Sequence, residues 1–355
     1  MPLLARTVTT PLAIEIHRGA IAELGEILAD RRISAGGDVA VVVGPGQGER
    51  IVELVKPSLG NPVIYPVEGG TLDSALELGA QLSRHGHDAV LGIGGGKTID
   101  TAKYAASRYG LPMVSVPTSL SHDGIASPVA TLDHNGTRPS YGVSMPIAVV
   151  VDLDYVARGS DRHTRSGIGD ALSNLNAVAD WELSHRVRGE PLDGLAAALA
   201  RTGAQALLTH PGTIDDDDFL TTLAEALTLG GIAMSVSGSS RPCSGGCHEI
   251  SHALDSLVPD LATHGEQVGV GALVCTYLRG DEAGFAQLAR CLGRHGLPRV
   301  PADLGITEEQ LVTAILDAPG TRPDRYTILE HLSLSADETR NKIKEYVDAV
   351  SELDR

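Results

Sequence analysis

The sequence predicts an α/β domain with a mostly parallel sheet, followed by an all-helical domain. Three observations predict it. Short apolar runs alternate with helical patterns as far as about Tyr155. One of these runs, ending in Val90-Leu91, stops on Gly92, Gly94, Gly95 and Gly96. Beyond Tyr155 the short runs fade, and apolar residues recur three and four apart.

Taken in order, strands are expected at Asp38–Val43, Pro62–Tyr65, Ala89–Ile93, Met113–Val116 and Ile147–Asp152. Helices are expected between them, at Ala20–Asp30, Gly48–Lys56, Leu72–His85 and Ile99–Tyr109. Strands separated by helices pair in parallel through right-handed crossovers. Ligands then gather at the carboxyl ends of the strands, where Gly44-Pro45-Gly46 and Gly94–Lys97 fall. The second part reads as helices at Ala171–Ser184, Leu192–Leu208, Phe219–Ser235 and His248–Leu257. The junction near Asp154–Arg162 has no flexible linker, so the domains are drawn as residues 1–157 and 158–355, packed around a shared cleft.

Composition narrows the function classes. A chain of 355 residues with a formal net charge of -17 repels nucleic acid and anionic membranes. No apolar run is expected to reach the length of a membrane span, and no signal-peptide plan opens the chain. Four cysteines, Cys243, Cys247, Cys275 and Cys291, suit a reducing cytoplasm better than a disulfide framework. These features describe a cytoplasmic enzyme acting on a small molecule, either alone or as a homo-oligomer.

Two constellations carry chemistry. Consecutive glycines between a strand and a helix bring bare N–H groups against an anion at a helix N-terminus, which is how a dinucleotide pyrophosphate is held. Lys97 follows directly, in a chain with few lysines. In the helical part, Asp170 is expected to open a helix in GIGDALSNLNAVADW. His248 and His252 share a helix face in CHEISHALD, and His264 falls at the next helix start. One carboxylate and several imidazoles from separate helices suit a divalent metal, although such spacing also occurs on plain helix surfaces. Cys247 has the chemistry of a thiolate ligand, but a free cysteine is more often a small buried apolar residue.

The blocks GGGKTIDTAK, VPTSLSHDGIASP, GIGDALSN, SSRPCSG, HGEQVGVG and RYTILEHL appear in that order. Together they resemble sn-glycerol-1-phosphate dehydrogenase, within the wider group of metal-dependent alcohol dehydrogenases and dehydroquinate synthases. The resemblance runs from about Val41 to Leu332. It implies a dinucleotide-binding α/β domain and a helical metal domain that together reduce dihydroxyacetone phosphate with NAD(H) or NADP(H). It implies that Gly94, Gly95 and Gly96 hold the pyrophosphate, and that Lys97, Asp100, Thr118 and Ser121 contact the cofactor. It further implies that Asp123 faces the substrate hydroxyls, and that Asp170, His248 and His264 bind Zn²⁺ or another divalent metal. His252 matches a supporting or proton-relay histidine, which makes His252 and Asp123 the catalytic candidates. For the substrate phosphate, Arg138 is the one basic residue in Asn135–Pro146, and Arg241 is a further candidate. A polyol dehydrogenase acting on an unphosphorylated substrate, and a dehydroquinate synthase-like cyclase, remain open as alternatives.

Overall fold

The computed structural model describes residues 8–60 and 62–353. The chain divides into two compact units, Met1–Ser160 and Asp161–Arg355.

The first unit contains strands β1 (Ala13–His17), β2 (Val39–Val43), β3 (Val63–Pro66), β4 (Ala89–Gly94), β5 (Met113–Pro117), β6 (Val129–Thr131), β7 (Ser140–Gly142) and β8 (Ala148–Asp152). Six of them form one sheet in the order β1-β8-β5-β4-β2-β3, and every pairing in it is parallel. Helices α1 (Leu24–Ala29), α2 (Gln47–Val55), α3 (Leu72–His85), α4 (Gly96–Arg108) and α5 (Leu153–Val156) complete the unit. Residues β2, β4, β5 and β8 are buried throughout. Val41, Val43, Leu91 and Ile93 pack into a core on one face of the sheet. Ala40, Val42 and Val90 pack into a second core on the other face. With helices on both faces, neither side of these strands meets water, so they read in the sequence as unbroken apolar runs.

Several local expectations need correction. Strand β1 was not anticipated, because its AIEIH sequence alternates apolar and polar residues at the sheet edge. The antiparallel hairpin β6–β7 was also missed. The helix expected at Ala20–Asp30 divides into a 3₁₀ turn, Ala20–Glu23, followed by α1. Helix α4 begins at Gly96, earlier than the expected Ile99.

The second unit is helical among the described residues. Its helices are α6 (Asp161–Arg188), α7 (Gly194–Thr209), α8 (Asp217–Ser237), α9 (Gly246–Leu257), α10 (His264–Leu278), α11 (Glu282–Arg294), α12 (Glu308–Thr321), α13 (Ile328–Leu332) and α14 (Ala336–Leu353). Asp170 does not open a helix as expected; it lies inside the 28-residue α6. The glycines that suggested a break there are needed for close packing. A Cβ on Gly169 would stand 2.9 Å from the carbonyl carbon of Gly265, and one on Gly265 would stand 2.7 Å from Ser166 Cα. Helices α6 and α10 therefore approach backbone to backbone. Against expectation, α8 is long and apolar enough to cross a membrane by length and composition. Most of it is buried inside the unit, and a helix covered on most sides needs no polar face.

Candidate active site

Three helices of the second unit bring Asp170, His248 and His264 together. One ligand-type atom from each lies within 4.8 Å of the others. Asp170 Oδ1 is 3.8 Å from His248 Nε2 and 3.5 Å from His264 Nε2. A tetrahedral ion with bonds near 2.1 Å sets its ligands about 3.4 Å apart, so the cluster fits a divalent metal. Two imidazoles and one carboxylate also leave a coordination position for water or a substrate oxygen, the pattern of a catalytic ion.

The surrounding residues hold these ligands in place. Asp170 is 4 % exposed. Burial, assisted by the charge of His264, pushes the pKa of His248 well below the ordinary histidine range. That keeps a neutral ring available as a ligand. Ser251 lies between His264 Nδ1, at 3.5 Å, and Gln267, to which it donates at 2.7 Å. Gln267 in turn donates to Asp255 at 2.9 Å, so a polar chain fixes the ring that carries the inward-facing Nε2. His264 is the first residue of α10. There Glu266 accepts the Thr263 N–H at 2.8 Å and receives both arms of Arg162 from α6, at 2.9 and 2.7 Å. Burial pushes the Cys247 thiol up to about 12, so it stays protonated and behaves as a small buried residue.

His252 lies one turn beyond His248 on α9, and its Nε2 is 3.2 Å from Arg322 Nη2. Burial lowers its pKa to about 3, with Arg322 the next cause. The arginine donates, so the ring is neutral and carries its proton on Nδ1. Arg241 is engaged elsewhere than the sequence suggested. Its guanidinium donates to Glu190 at 2.8 and 2.6 Å and to the Tyr326 carbonyl at 3.1 Å. Its charge is neutralised inside the unit. Sequence reasoning assigned nothing to Arg322 or Arg325, although Arg325 opens the RYTILEHL block.

In the first unit, β4 runs into α4 through the glycine turn. A Cβ on Gly94 would stand 2.7 Å from Thr98 Oγ1, and one on Gly96 would stand 2.5 Å from His122 Nε2. A Cβ on Gly95 would meet nothing closer than Ser119 Oγ at 3.9 Å, so the middle glycine borders open space. The first N–H groups of α4 lack partners within the helix and suit an anion. Lys97 is exposed, with its stem along Gly70. The sequence reading overlooked Gly69 and Gly70, both at positive φ (71° and 83°), whose side-chain-free backbone admits Lys97.

Thr118 donates its N–H to the Gly94 carbonyl at 2.9 Å, which sets the segment holding Ser121 and Asp123 beside the turn. His122 Nδ1 accepts the Gly124 N–H at 2.9 Å, leaving the ring proton on the Nε2 that faces Gly96. Asp100 has other partners than a cofactor. It is buried, 2.9 Å from Lys103 Nζ, and accepts the Thr131 N–H at 3.1 Å. Lys103 also donates to the carbonyls of Gly124, at 2.7 Å, and Ser127, at 3.3 Å. The pair thus clamps the loop that carries Asp123. Arg138 lies exposed near the turn of the β6–β7 hairpin.

Residues 15–159 match the iron-containing alcohol dehydrogenase family. Across nearly its whole length, the chain is 36 % identical over 344 residues to the glycerol-1-phosphate dehydrogenase [NAD(P)+] of Staphylothermus marinus, covering 95 % of this chain and 97 % of that protein. The chain belongs to the glycerol-1-phosphate dehydrogenase family. The Methanosarcina acetivorans glycerol-1-phosphate dehydrogenase [NAD(P)+] is likewise 36 % identical, over 92 % of each chain. Among solved structures, a probable glycerol dehydrogenase from Sinorhizobium meliloti 1021 superposes with a TM-score of 0.77 at 23 % identity, covering 98 % of this chain and 99 % of that one. The glycerol dehydrogenase of Schizosaccharomyces pombe gives the same TM-score at 22 % identity, covering 98 % and 92 %. These two establish the fold, an α/β unit followed by a helical one. As a member of the glycerol-1-phosphate dehydrogenase family, the chain is an NAD(P)-linked oxidoreductase.

Proposed function

We propose that this chain reversibly reduces dihydroxyacetone phosphate to sn-glycerol 1-phosphate with NADH or NADPH in the cytoplasm. The observation that carries the reading is the 36 % identity to a glycerol-1-phosphate dehydrogenase over 95 % of the chain. The Asp170–His248–His264 cluster supports it. In this reading residues 1–157 bind the dinucleotide and residues 158–355 bind the metal.

Asp170, His248 and His264 hold the divalent ion, which when bound polarises the substrate carbonyl. Gly94, Gly95 and Gly96, with the first N–H groups of α4, hold the pyrophosphate of the nicotinamide cofactor, the hydride donor. Lys97 adds a cation beside the phosphates, and Thr118 and Ser121 border the same turn. His122 offers Nε2–H to that anion. Asp123 accepts a hydrogen bond from a substrate hydroxyl. His252, neutral and hydrogen-bonded to Arg322, orients that guanidinium rather than storing a proton. Asp100, with Lys103, keeps the Asp123 loop in position.

The test is nicotinamide absorbance at steady state with Zn²⁺, comparing dihydroxyacetone phosphate with dihydroxyacetone under both reduced cofactors. Chiral analysis of the product accompanies it. Strong preference for the phosphorylated ketone and formation of the sn-1 phosphate are expected. Preference for the unphosphorylated ketone would assign the chain to polyol oxidation and overturn the proposal.

A further inference from the structure

We propose that Arg322 and Arg325 form the pocket that grips the substrate's phosphate, next to the Asp170–His248–His264 cluster. The proposal rests on the function just given and names the residues that would make it specific for a phosphorylated ketone.

Two sequence blocks, SSRPCSG and RYTILEHL, have no part in holding the ion or the dinucleotide. The structure brings them together. Arg325 donates to Ser240 Oγ at 2.7 Å and to the Ser244 carbonyl, so the second block is tied to the loop of the first. That loop leads directly into α9, the helix of His248 and His252. Arg322 reaches the same helix through its bond to His252 Nε2.

The charges are unbalanced. Arg241 is ion-paired with Glu190. Among the described residues, Arg322 and Arg325 make hydrogen bonds only to neutral groups: an imidazole, a carbonyl and a hydroxyl. Burial, followed by the charges of Arg322 and Arg241, pulls the pKa of Arg325 down to about 10. Arg322 and Arg325 repel each other, and Glu249 and Asp324 offset the charge of Arg325 less than Arg322 and Arg241 oppose it. A phosphate dianion relieves that imbalance, and the planar guanidinium fork matches its oxygens.

The spacing also suits the substrate. His252 follows His248 by one helical turn, about 5.4 Å along the axis. In dihydroxyacetone phosphate one methylene and one ester oxygen separate the carbonyl carbon from phosphorus, a reach of the same scale. A ketone whose carbonyl lay at the Asp170–His248–His264 cluster would have the reach to place its phosphate at Arg322.

The test uses the zinc-loaded, full-length protein and the R322Q variant, with kcat/KM measured on dihydroxyacetone phosphate and on dihydroxyacetone. Binding of inorganic phosphate is followed by titration calorimetry. Losing one charged hydrogen-bond partner of the phosphate should lower kcat/KM on the phosphorylated ketone on the order of 10- to 100-fold. Turnover of the unphosphorylated ketone should change little, and phosphate should bind correspondingly more weakly. The R325K variant keeps a donor for the Ser240–Ser244 loop but not the fork, and should show the same selective loss. Equal losses on both ketones, or undiminished phosphate binding, would overturn the proposal while leaving the function intact. A wild-type enzyme with no preference for the phosphorylated ketone would overturn the function and the proposal together.

Discussion

Gly265→Ala sets two effects against each other, and the structure decides which wins. Gly265 lies in the first turn of α10, where alanine is the better helix former by about 1 kcal/mol. On propensity alone the substitution stabilises. The added methyl, however, would overlap the Ser166 carbonyl and stand 2.7 Å from Ser166 Cα. Carbon atoms pack at about 3.5–4.0 Å, so the two helix backbones must separate by roughly 1 Å. Backbone cannot turn aside as a side chain does. Overpacking of this kind costs about 1–3 kcal/mol, and a clash with rigid backbone falls in the upper part of that range, so after the helix gain the net effect is destabilising by about 1–2 kcal/mol. For a unit of this size each kcal/mol lowers Tm by roughly 2–4 °C. The same displacement acts on Asp170 and His264, which sit beside the contact on opposite helices and are now 3.5 Å apart. The expected result is a fall in Tm of about 2–8 °C together with Zn²⁺ affinity weakened by at least about tenfold. Calorimetry with and without metal gives the first, and competition with a chromophoric chelator gives the second. A G265A protein as stable as wild type, with unchanged Zn²⁺ affinity, would refute the argument.

Asp170→Asn should weaken Zn²⁺ binding on the order of 100-fold or more, since the anionic ligand is lost; the same chelator competition measures it. Gly96→Ala places a methyl 2.5 Å from His122 Nε2 and should weaken NAD(P)H binding about tenfold in a fluorescence titration. In the G96A/H122A double variant the two losses should be less than additive, because removing the ring makes room for the methyl. His295 stacks on Phe219 with ring centroids 4.7 Å apart, and burial, followed by the charge of Arg294, lowers its pKa to about 4. A histidine depressed in the folded state gives stability that is complete above its unfolded pKa of about 6.5 and is lost as pH falls toward 4. His295→Leu should therefore remove about 1–2 kcal/mol of the destabilisation between pH 6.5 and 5, read as a smaller fall in Tm over that range.

The parts of the molecule most legible in the sequence are those where one physical signal dominates. Strands β2, β4, β5 and β8 are buried on both faces and so appear as apolar runs that leave little choice of structure. The glycine turn was readable because its signal is local: the glycines end an apolar strand, and Gly94 lies against Thr98, four residues on. Signals that depend on distant partners were lost. The glycines around Asp170 looked like a helix start, since nothing local reveals that Gly265 packs against Gly169. Arg241 looked like a phosphate ligand until Glu190, some fifty residues upstream, was seen to hold it. Asp100 was read toward the cofactor, whereas its partners are Lys103 and the Thr131 N–H. Arg322 carried no pattern, and Arg325 stood in the RYTILEHL block without a role; their convergence with His252 and the Ser240–Ser244 loop gives them meaning.

The ligand cluster also bears on how the protein matures. Asp170 precedes His248 by about eighty residues, and the three ligands come from three different helices. The nascent chain therefore offers at most a His pair until α6 has docked against α9 and α10. Metal cannot nucleate this fold as it does in a zinc finger, where ligands are neighbours in sequence. An ion held by this cluster would depend on the packing of α6, α9 and α10, and not on a local run of ligands.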